Sequence, residues 1–145
     1  MADAPAKTSV PYVLDHQVGY LLRLASQRHA AIFQKHSLDG LTPTQFSTLI
    51  RVSEAGPVSQ NHLGRLAAMD VATIKGVVDR LRAKGLMASR PDTVDKRRSI
   101  ITLTVAGQAL IADLTALGRA ITEETLEPLS EAERQTLVAL LQKLC

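Results

Sequence analysis

The residues best suited to chemistry in this sequence are three consecutive cations, Lys96, Arg97 and Arg98, which directly follow Asp95. They lie in the segment PDTVDKRRS, whose proline, aspartate and serine residues are typical of a turn. Ammonium and guanidinium groups that share a loop favour the binding of phosphate oxygens. The alternative is an ordinary solvated turn, in which these charges have no partner.

The segment before this turn is predicted to be a helix from Val71 to Lys84. Asp70 can accept hydrogen bonds from the free amides of the first turn, and Gly85 suits the position after the last turn. One face of this helix is apolar and must be buried: Val71, Ile74, Val77, Val78 and Leu81. The other face is small, polar or cationic: Thr73, Lys75, Gly76, Asp79, Arg80 and Lys84. A helix of this kind fits the major groove of duplex DNA.

We expect Asp79 and Arg80 of the same helix to form an orienting pair rather than to contact DNA. A carboxylate that faced phosphate groups would be repelled by them. Lys75 is thereby left as the main cation of the helix.

The neighbouring segments complete a known DNA-binding arrangement. Leu86 to Arg90 and Ile100 to Thr104 are β-prone runs on either side of the turn, so they predict a two-stranded ribbon. Gln60 to Met69 is predicted to be a short helix capped by Ser59, and a tight turn joins it to the helix that follows Asp70. Two helices joined in this way and followed by a ribbon are typical of a winged helix-turn-helix.

Long amphipathic helices are predicted on both sides of this unit. They cover Tyr12 to His36 and Val105 to Glu127, and a final helix follows Ser130. A further helix begins after Thr42, with Pro43 at its first position. The apolar faces of the outer helices are broader than one small domain can cover, so we expect them to pack against a second copy of the chain.

The predicted fold class is therefore mainly α with a small β-ribbon. Residues 41–104 form the winged helix-turn-helix, and residues 12–38 and 105–145 form a helical dimerisation region. These parts belong to a single domain, 12–145, and residues 1–11 are a mobile N-terminal arm rich in small and polar residues.

Composition narrows the class of protein further. The chain has 145 residues, of which 46% are hydrophobic and only 3% aromatic, which favours a helical core of Leu, Ala and Val. No apolar run is long enough to span a membrane and no signal peptide is apparent, so we expect a cytoplasmic protein. The four histidines lack metal-type spacing, so no metal or cofactor is expected. Ser59 near His62 is too weak a signal for an enzyme.

Charge is distributed unevenly along the chain. Residues 40–104 carry ten Lys or Arg against five Asp or Glu, whereas residues 105–145 carry three against six. A basic central module beside an acidic one is typical of a phosphate-binding unit joined to an assembly unit. A winged-helix module that binds protein through the same surface remains the alternative, and the basic centre argues against it.

Three stretches of this sequence resemble the MarR family of bacterial winged-helix regulators. They are LTPTQFSTLIRV, SQNHLGRLAAMDVATIKGVVDRLRAKGLMASR and DKRRSIITLTVAGQAL. The N-terminal wording DHQVGYLLRLASQRH is most similar to regulators of aromatic-acid catabolism. The resemblance extends from Tyr12 to Leu144.

This resemblance implies a homodimer that binds a pseudo-palindromic operator in double-stranded DNA, usually as a repressor. A small aromatic effector, either a free acid or its coenzyme A thioester, would release it. Thr73, Lys75 and Gly76 match recognition-helix positions, Arg97 matches the wing arginine that enters the minor groove, and Asp95 matches the acid that steadies the wing. Gly76 stands where many relatives carry a long polar or basic side chain, so Lys75 and Arg97 are expected to carry more of the base readout.

The candidates for binding the effector lie on the first helix. At 100° per residue, Arg28 and His29 fall near the centre of its apolar face, whereas Arg23 points to the other side. A cation on an apolar face needs a partner. That partner is expected to be either a carboxylate ligand or an acid across the dimer.

Overall fold

The computed structural model describes residues 9–145, so most of the predicted N-terminal arm lies outside the described residues. A 3₁₀ turn at Leu14–His16 precedes the first helix. The α-helices are α1 (Val18–His36), α2 (Pro43–Ala55), α3 (Gln60–Leu66), α4 (Val71–Ala83), α5 (Val105–Thr125) and α6 (Glu131–Leu144). The strands are β1 (Val58–Ser59), β2 (Met87–Pro91) and β3 (Ser99–Leu103), and they form an antiparallel sheet in the order β1-β3-β2.

Side-chain caps fix the starts of the helices where the sequence predicts them. Asp70 accepts a hydrogen bond of 2.7 Å from the amide of Thr73 at the start of α4. Thr42 and Ser130 each form a capping box with the residue three positions later, and Pro43 is the first residue of α2. Gly85 has a φ of +74° directly after α4, as expected for a residue that ends a helix.

Several predicted boundaries are wrong. The sheet has three strands rather than two, because Val58 and Ser59 pair with Ile101 and Ile100 of β3. A strand of two residues has too little alternation to be recognised in a sequence. Three helices are shorter than predicted, with α1 starting at Val18, α3 ending at Leu66 and α5 ending at Thr125. The strands β2 and β3 are shifted by one residue from the predicted runs.

One core holds the winged unit together. Helices α2 to α5 and the sheet each contribute fully buried side chains, among them Leu49, Leu63, Ile74, Leu81, Ile101 and Leu114. The predicted burial of Val71 is wrong, since this side chain at the first position of α4 is 66% exposed. The remaining apolar positions of α4 are buried, so the orientation of this helix is fixed by the core.

The outer helices leave much of their apolar surface uncovered. Ile32 and Phe33 of α1 pack with Ile121 of α5, and the ring of Phe33 meets that of Phe46 edge to face at 5.7 Å. The rest of the apolar face of α1 is exposed, and α6 has no buried residue. The exposed apolar side chains on the 3₁₀ turn, α1 and α6 are Leu14, Val18, Leu21, Leu22, Leu24, Val138, Leu140, Leu141 and Leu144.

The start of α5 is fastened to the start of β2. Thr104 donates its amide to the carbonyl of Leu86 at 3.1 Å and its hydroxyl to the carbonyl of Gly85 at 2.6 Å. A Cβ on Gly107 would lie only 2.1 Å from the carbonyl oxygen of Leu86. Gly107 is therefore required for this close approach, which joins the helical region to the winged unit.

Candidate nucleic-acid interface

Helix α4 presents a polar surface on the side opposite the core. The side chains of Thr73 and Lys75 are exposed there, and Gly76 is half-buried. These three sequence-predicted residues thus lie on the accessible side of the second helix of a helix-turn-helix. This is the position from which such a helix enters the major groove.

The cation of Lys75 is engaged within the helix. Its Nζ atom lies 2.8 Å from a carboxylate oxygen of Asp79, one turn later. The hydrogen bond from Lys75 lowers the pKa of Asp79, and the charges of Lys75 and Arg82 act in the same direction. The predicted pairing of Asp79 with Arg80 is wrong, because side chains one turn apart lie closer on a helix than adjacent ones.

Arg80 instead lies along the helix beside Gly76. Its Nη1 atom is 3.8 Å from the position that a Cβ on Gly76 would occupy. Side chains of a helix lean towards its N-terminus, which brings the guanidinium over the preceding turn. The sequence reasoning missed Arg80 as a possible contact with DNA because it assigned the arginine to Asp79.

The wing tip, which we define as residues 95–98 between β2 and β3, is ordered by its own acid. Asp95 accepts hydrogen bonds from the backbone amide of Arg97 at 3.1 Å and from its Nε at 3.1 Å. The side-chain bond from Arg97, together with the backbone bond, lowers the pKa of Asp95. The side chain of Arg97 is nevertheless 91% exposed, so its guanidinium is oriented yet accessible. Lys96 and Arg98 are exposed beside it.

The base of the wing borders a polar cleft of about 120 Å³. Its lining residues come from the β1–α3 junction and from the wing: Ser59, Gln60, Asn61, Arg97, Arg98 and Ser99. The sequence reasoning did not place α3 beside the wing, since only the pairing of β1 with β3 brings them together. The cleft joins the helix-turn-helix and the wing cations into one surface.

Two of the effector candidates on α1 contact α5. Arg28 donates hydrogen bonds to the backbone carbonyls of Thr125 and Glu124, at 2.5 and 3.0 Å. Nδ1 of His29 is 2.9 Å from the hydroxyl of Thr125. Within this chain, Arg28 and His29 therefore both contact the end of α5. Arg23 is not part of this group and lies over the ring of Tyr20 at 5.5 Å.

Two further side chains of α1 hold the same end of α5. Lys35 lies 2.7 Å from one carboxylate oxygen of Glu124, and His36 lies 2.5 Å from the other. These hydrogen bonds, that of Lys35 first, lower the pKa of Glu124. We call this group the α1–α5 clamp, which consists of Arg28, His29, Lys35, His36, Glu124 and Thr125. Helix C-termini attract cations because their last carbonyls lack partners within the helix.

Comparison with known proteins identifies this arrangement. The MarR family model matches residues 41–99, which run from the start of α2 through α3, α4 and β2 to the first residue of β3. The repressor NicR of Pseudomonas putida is 42% identical over 137 residues, spanning 94% of this chain and 87% of NicR. The chain belongs to the MarR family. The predicted family and winged-helix fold are therefore confirmed, and the protein is a DNA-binding transcriptional regulator.

Solved structures of MarR-family members agree with this assignment. Bordetella bronchiseptica BpsR, whose DNA binding is regulated by 6-hydroxynicotinic acid, superposes with a TM-score of 0.88 at 40% identity, over 93% of this chain and 97% of BpsR. A variant of Escherichia coli MarR in complex with operator DNA gives a TM-score of 0.80 at 26% identity, over 88% and 92% of the two chains. The predicted similarity to regulators that respond to aromatic acids is confirmed by BpsR. Among residues 9–145, no helix is both long enough and apolar enough to cross a bilayer.

Proposed function

We propose that this MarR-family protein is a homodimeric repressor that leaves its operator when it binds a small aromatic acid. The observation that carries the proposal is the wing tip, where an acid holds an exposed arginine in place beside two further cations. An oriented guanidinium loses less conformational freedom when it binds, which favours contact with DNA. A DNA target places the protein in the cytoplasm, and a regulator of this kind needs no enzymatic activity.

We assign the DNA contacts to two elements. Thr73, Lys75 and Gly76 of α4 face the major groove. The wing cations contact phosphates and the neighbouring minor groove: Lys96, Arg97 and Arg98. Asp95 orients Arg97. The uneven charge of the chain supports this assignment, since residues 40–104 hold most of its basic side chains.

The dimer is proposed to form through residues 12–38 and 105–145, while residues 41–104 bind DNA. The exposed apolar side chains of α1 and α6 support this division, because contiguous apolar surface of this extent is typical of an interface. Two recognition helices related by a two-fold axis would then meet two half-sites of a pseudo-palindromic operator.

The effector is proposed to bind at the junction of α1 and α5, near Arg23, Arg28 and His29. BpsR supports an aromatic acid as the ligand class, and a cation on α1 supplies the charge that a carboxylate needs. A ligand carboxylate would compete with the carbonyls of Thr125 and Glu124 for the guanidinium of Arg28. Ligand binding would thus loosen the α1–α5 clamp.

A gel-shift titration on DNA that flanks the gene for this protein tests the proposal. We expect a shifted band of the protein–DNA complex at low salt. Addition of 6-hydroxynicotinic acid or a related aromatic acid is expected to abolish this band. Benzoate-type acids and their coenzyme A thioesters, added in separate lanes, distinguish a free acid from a thioester. If the shifted band persists with every acid tested, the proposal that the effector is an aromatic acid is contradicted. No shift at low salt, where phosphate contacts are strongest, would contradict DNA binding and favour a protein-interaction module.

A further inference from the structure

Lys75, the only recognition-helix cation that the sequence reasoning singled out, is poorly placed to read a base. Its ammonium is held by Asp79 at 2.8 Å, and both side chains are partly exposed. To reach a base edge it would have to leave this carboxylate, which costs little for an exposed pair one turn apart, or bring the charge of Asp79 towards the DNA. Among the described residues, Arg80 carries no such partner.

Gly76 has no structural reason to be a glycine within this chain. A Cβ on Gly107 would lie 2.1 Å from a backbone oxygen, so packing requires that glycine, and a Cβ on Gly64 or Gly118 would make a tight contact of 3.1 or 3.0 Å. At Gly76 the nearest atom is the flexible end of Arg80, at an ordinary contact distance of 3.8 Å. Glycine within a helix destabilises it relative to alanine. Packing within the described residues therefore does not require a glycine at position 76.

Arg80 occupies the space beside Gly76. It lies one turn later on the same face, and its guanidinium extends back over the glycine. Within residues 9–145, no acid lies within ion-pair distance of Arg80 and its side chain makes no hydrogen bond, in contrast to Lys75. The five donors of its guanidinium are thus available to a partner.

We infer that Arg80 is the base-reading cation of α4 and that Gly76 leaves the room in which its guanidinium reaches a base edge. The ligand is a guanine in the major groove, whose O6 and N7 atoms match the planar fork of an arginine. In this chain, a long side chain at position 76 would occupy the space that the guanidinium of Arg80 now fills. The inference rests on the proposed function, because it requires α4 to enter the groove of the operator.

Arg80→Ala tests this inference on a set of operators in which each base pair of one half-site is replaced in turn. We expect binding of the intact operator to weaken about tenfold to a hundredfold. We also expect the variant to lose discrimination at one G·C pair while it keeps discrimination elsewhere. Arg82→Ala is the matched control, since Arg82 is an exposed arginine of the same helix that faces Asp79. It is expected to keep discrimination at every position.

Variants of Gly76 test the role of the space beside this residue separately from the role of the Arg80 charge. Gly76→Leu should weaken binding in the wild-type background and have less effect when Arg80 is already alanine, which a double-mutant cycle measures. The melting temperature of each variant shows that the chain folds, and Gly76→Ala should raise it slightly or leave it unchanged.

Two results would overturn the inference and leave the proposed function intact. One is that Arg80→Ala binds like the wild type. The other is that it weakens all operators equally and flattens the salt dependence, which would make Arg80 a phosphate contact. If the wild-type protein itself fails to shift DNA at low salt, the proposed function falls and the inference falls with it.

Discussion

The wing tip and the α1–α5 clamp use the same kinds of side chain for opposite purposes. In the clamp, Arg28 and Lys35 bind groups of α5 that are 89 to 97 residues away in the sequence. At the wing tip, Arg97 binds only Asp95, two residues earlier. The clamp contacts therefore join two helices, whereas the contact of Arg97 stays within one turn and leaves its side chain 91% exposed.

The largest expected effect comes from removing the oriented wing arginine. Arg97→Ala should weaken operator binding about tenfold to a hundredfold, because a guanidinium contact with DNA is lost. Its melting temperature and dimer mass should stay unchanged, since its only partner is local. Fluorescence anisotropy with labelled operator measures the affinity. Arg51→Ala, which removes an exposed arginine of α2, is the control. If Arg97→Ala and Arg51→Ala bind the operator with equal affinity, Arg97 does not contact DNA.

Salt dependence gives a second test of the comparison. Lys96→Ala should reduce the slope of log affinity against log salt by about one unit, the value for one lost phosphate contact. Lys35→Ala removes the same charge from the clamp and should leave the slope unchanged. Affinities at four or five salt concentrations are sufficient. Equal reductions for both variants would show that overall charge, rather than position, determines the slope.

Removing a clamp cation should affect the fold more than DNA binding. Arg28→Ala should lower stability by roughly 1 kcal/mol and the melting temperature by about 4 °C, because two carbonyls lose a charged donor at a partly exposed site. Arg23→Ala, which loses only its contact with Tyr20, should change stability less. Thermal denaturation followed by circular dichroism compares them. If Arg28→Ala keeps its stability but no longer responds to the aromatic acid, its main role is to bind the effector.

The smallest expected effect is the pH dependence of the clamp. The pKa of Glu124 is lowered in the fold by its bonds to Lys35 and His36. Its contribution to stability is therefore present above the ordinary glutamate pKa of about 4.3 and is lost as the pH falls through the lower, folded value. Melting temperatures of the wild type and Glu124→Gln should differ at pH 7 and converge in acid. A constant difference down to pH 3 would exclude this linkage.

Features that depend on neighbouring residues could be predicted from the sequence. The caps at Asp70, Thr42 and Ser130 and the apolar face of α4 require only local spacing, and the structure has them as expected. The helix-turn-helix and wing follow from the order of these elements. Position Val71 is an exception, since the first residue of a helix can project beyond the core that buries the next turn.

Features that depend on distant pairing could not be predicted. β1 exists because β3 offers it partners, and two residues carry no pattern of their own. The partner of Arg28 is a pair of backbone carbonyls, which have no signature in a sequence. In both cases the outcome depends on three-dimensional proximity. The pairing of Lys75 with Asp79 is different, because residues four apart on a helix are neighbours and their spacing alone predicts the contact.

Helix α5 is in contact with the winged unit at its first turn and with α1 at its last turn, so a change of its tilt would be transmitted between these two regions. Its first turn is pressed against the carbonyl of Leu86 through Gly107, and its last turn is gripped by Arg28. Its 21 residues span about 30 Å. A tilt of about 5° at the clamp would displace the wing end by close to 3 Å, which is comparable to the rise of one base pair. A ligand that tilts α5 by this amount at the proposed effector site would move one recognition helix relative to the other in the proposed dimer.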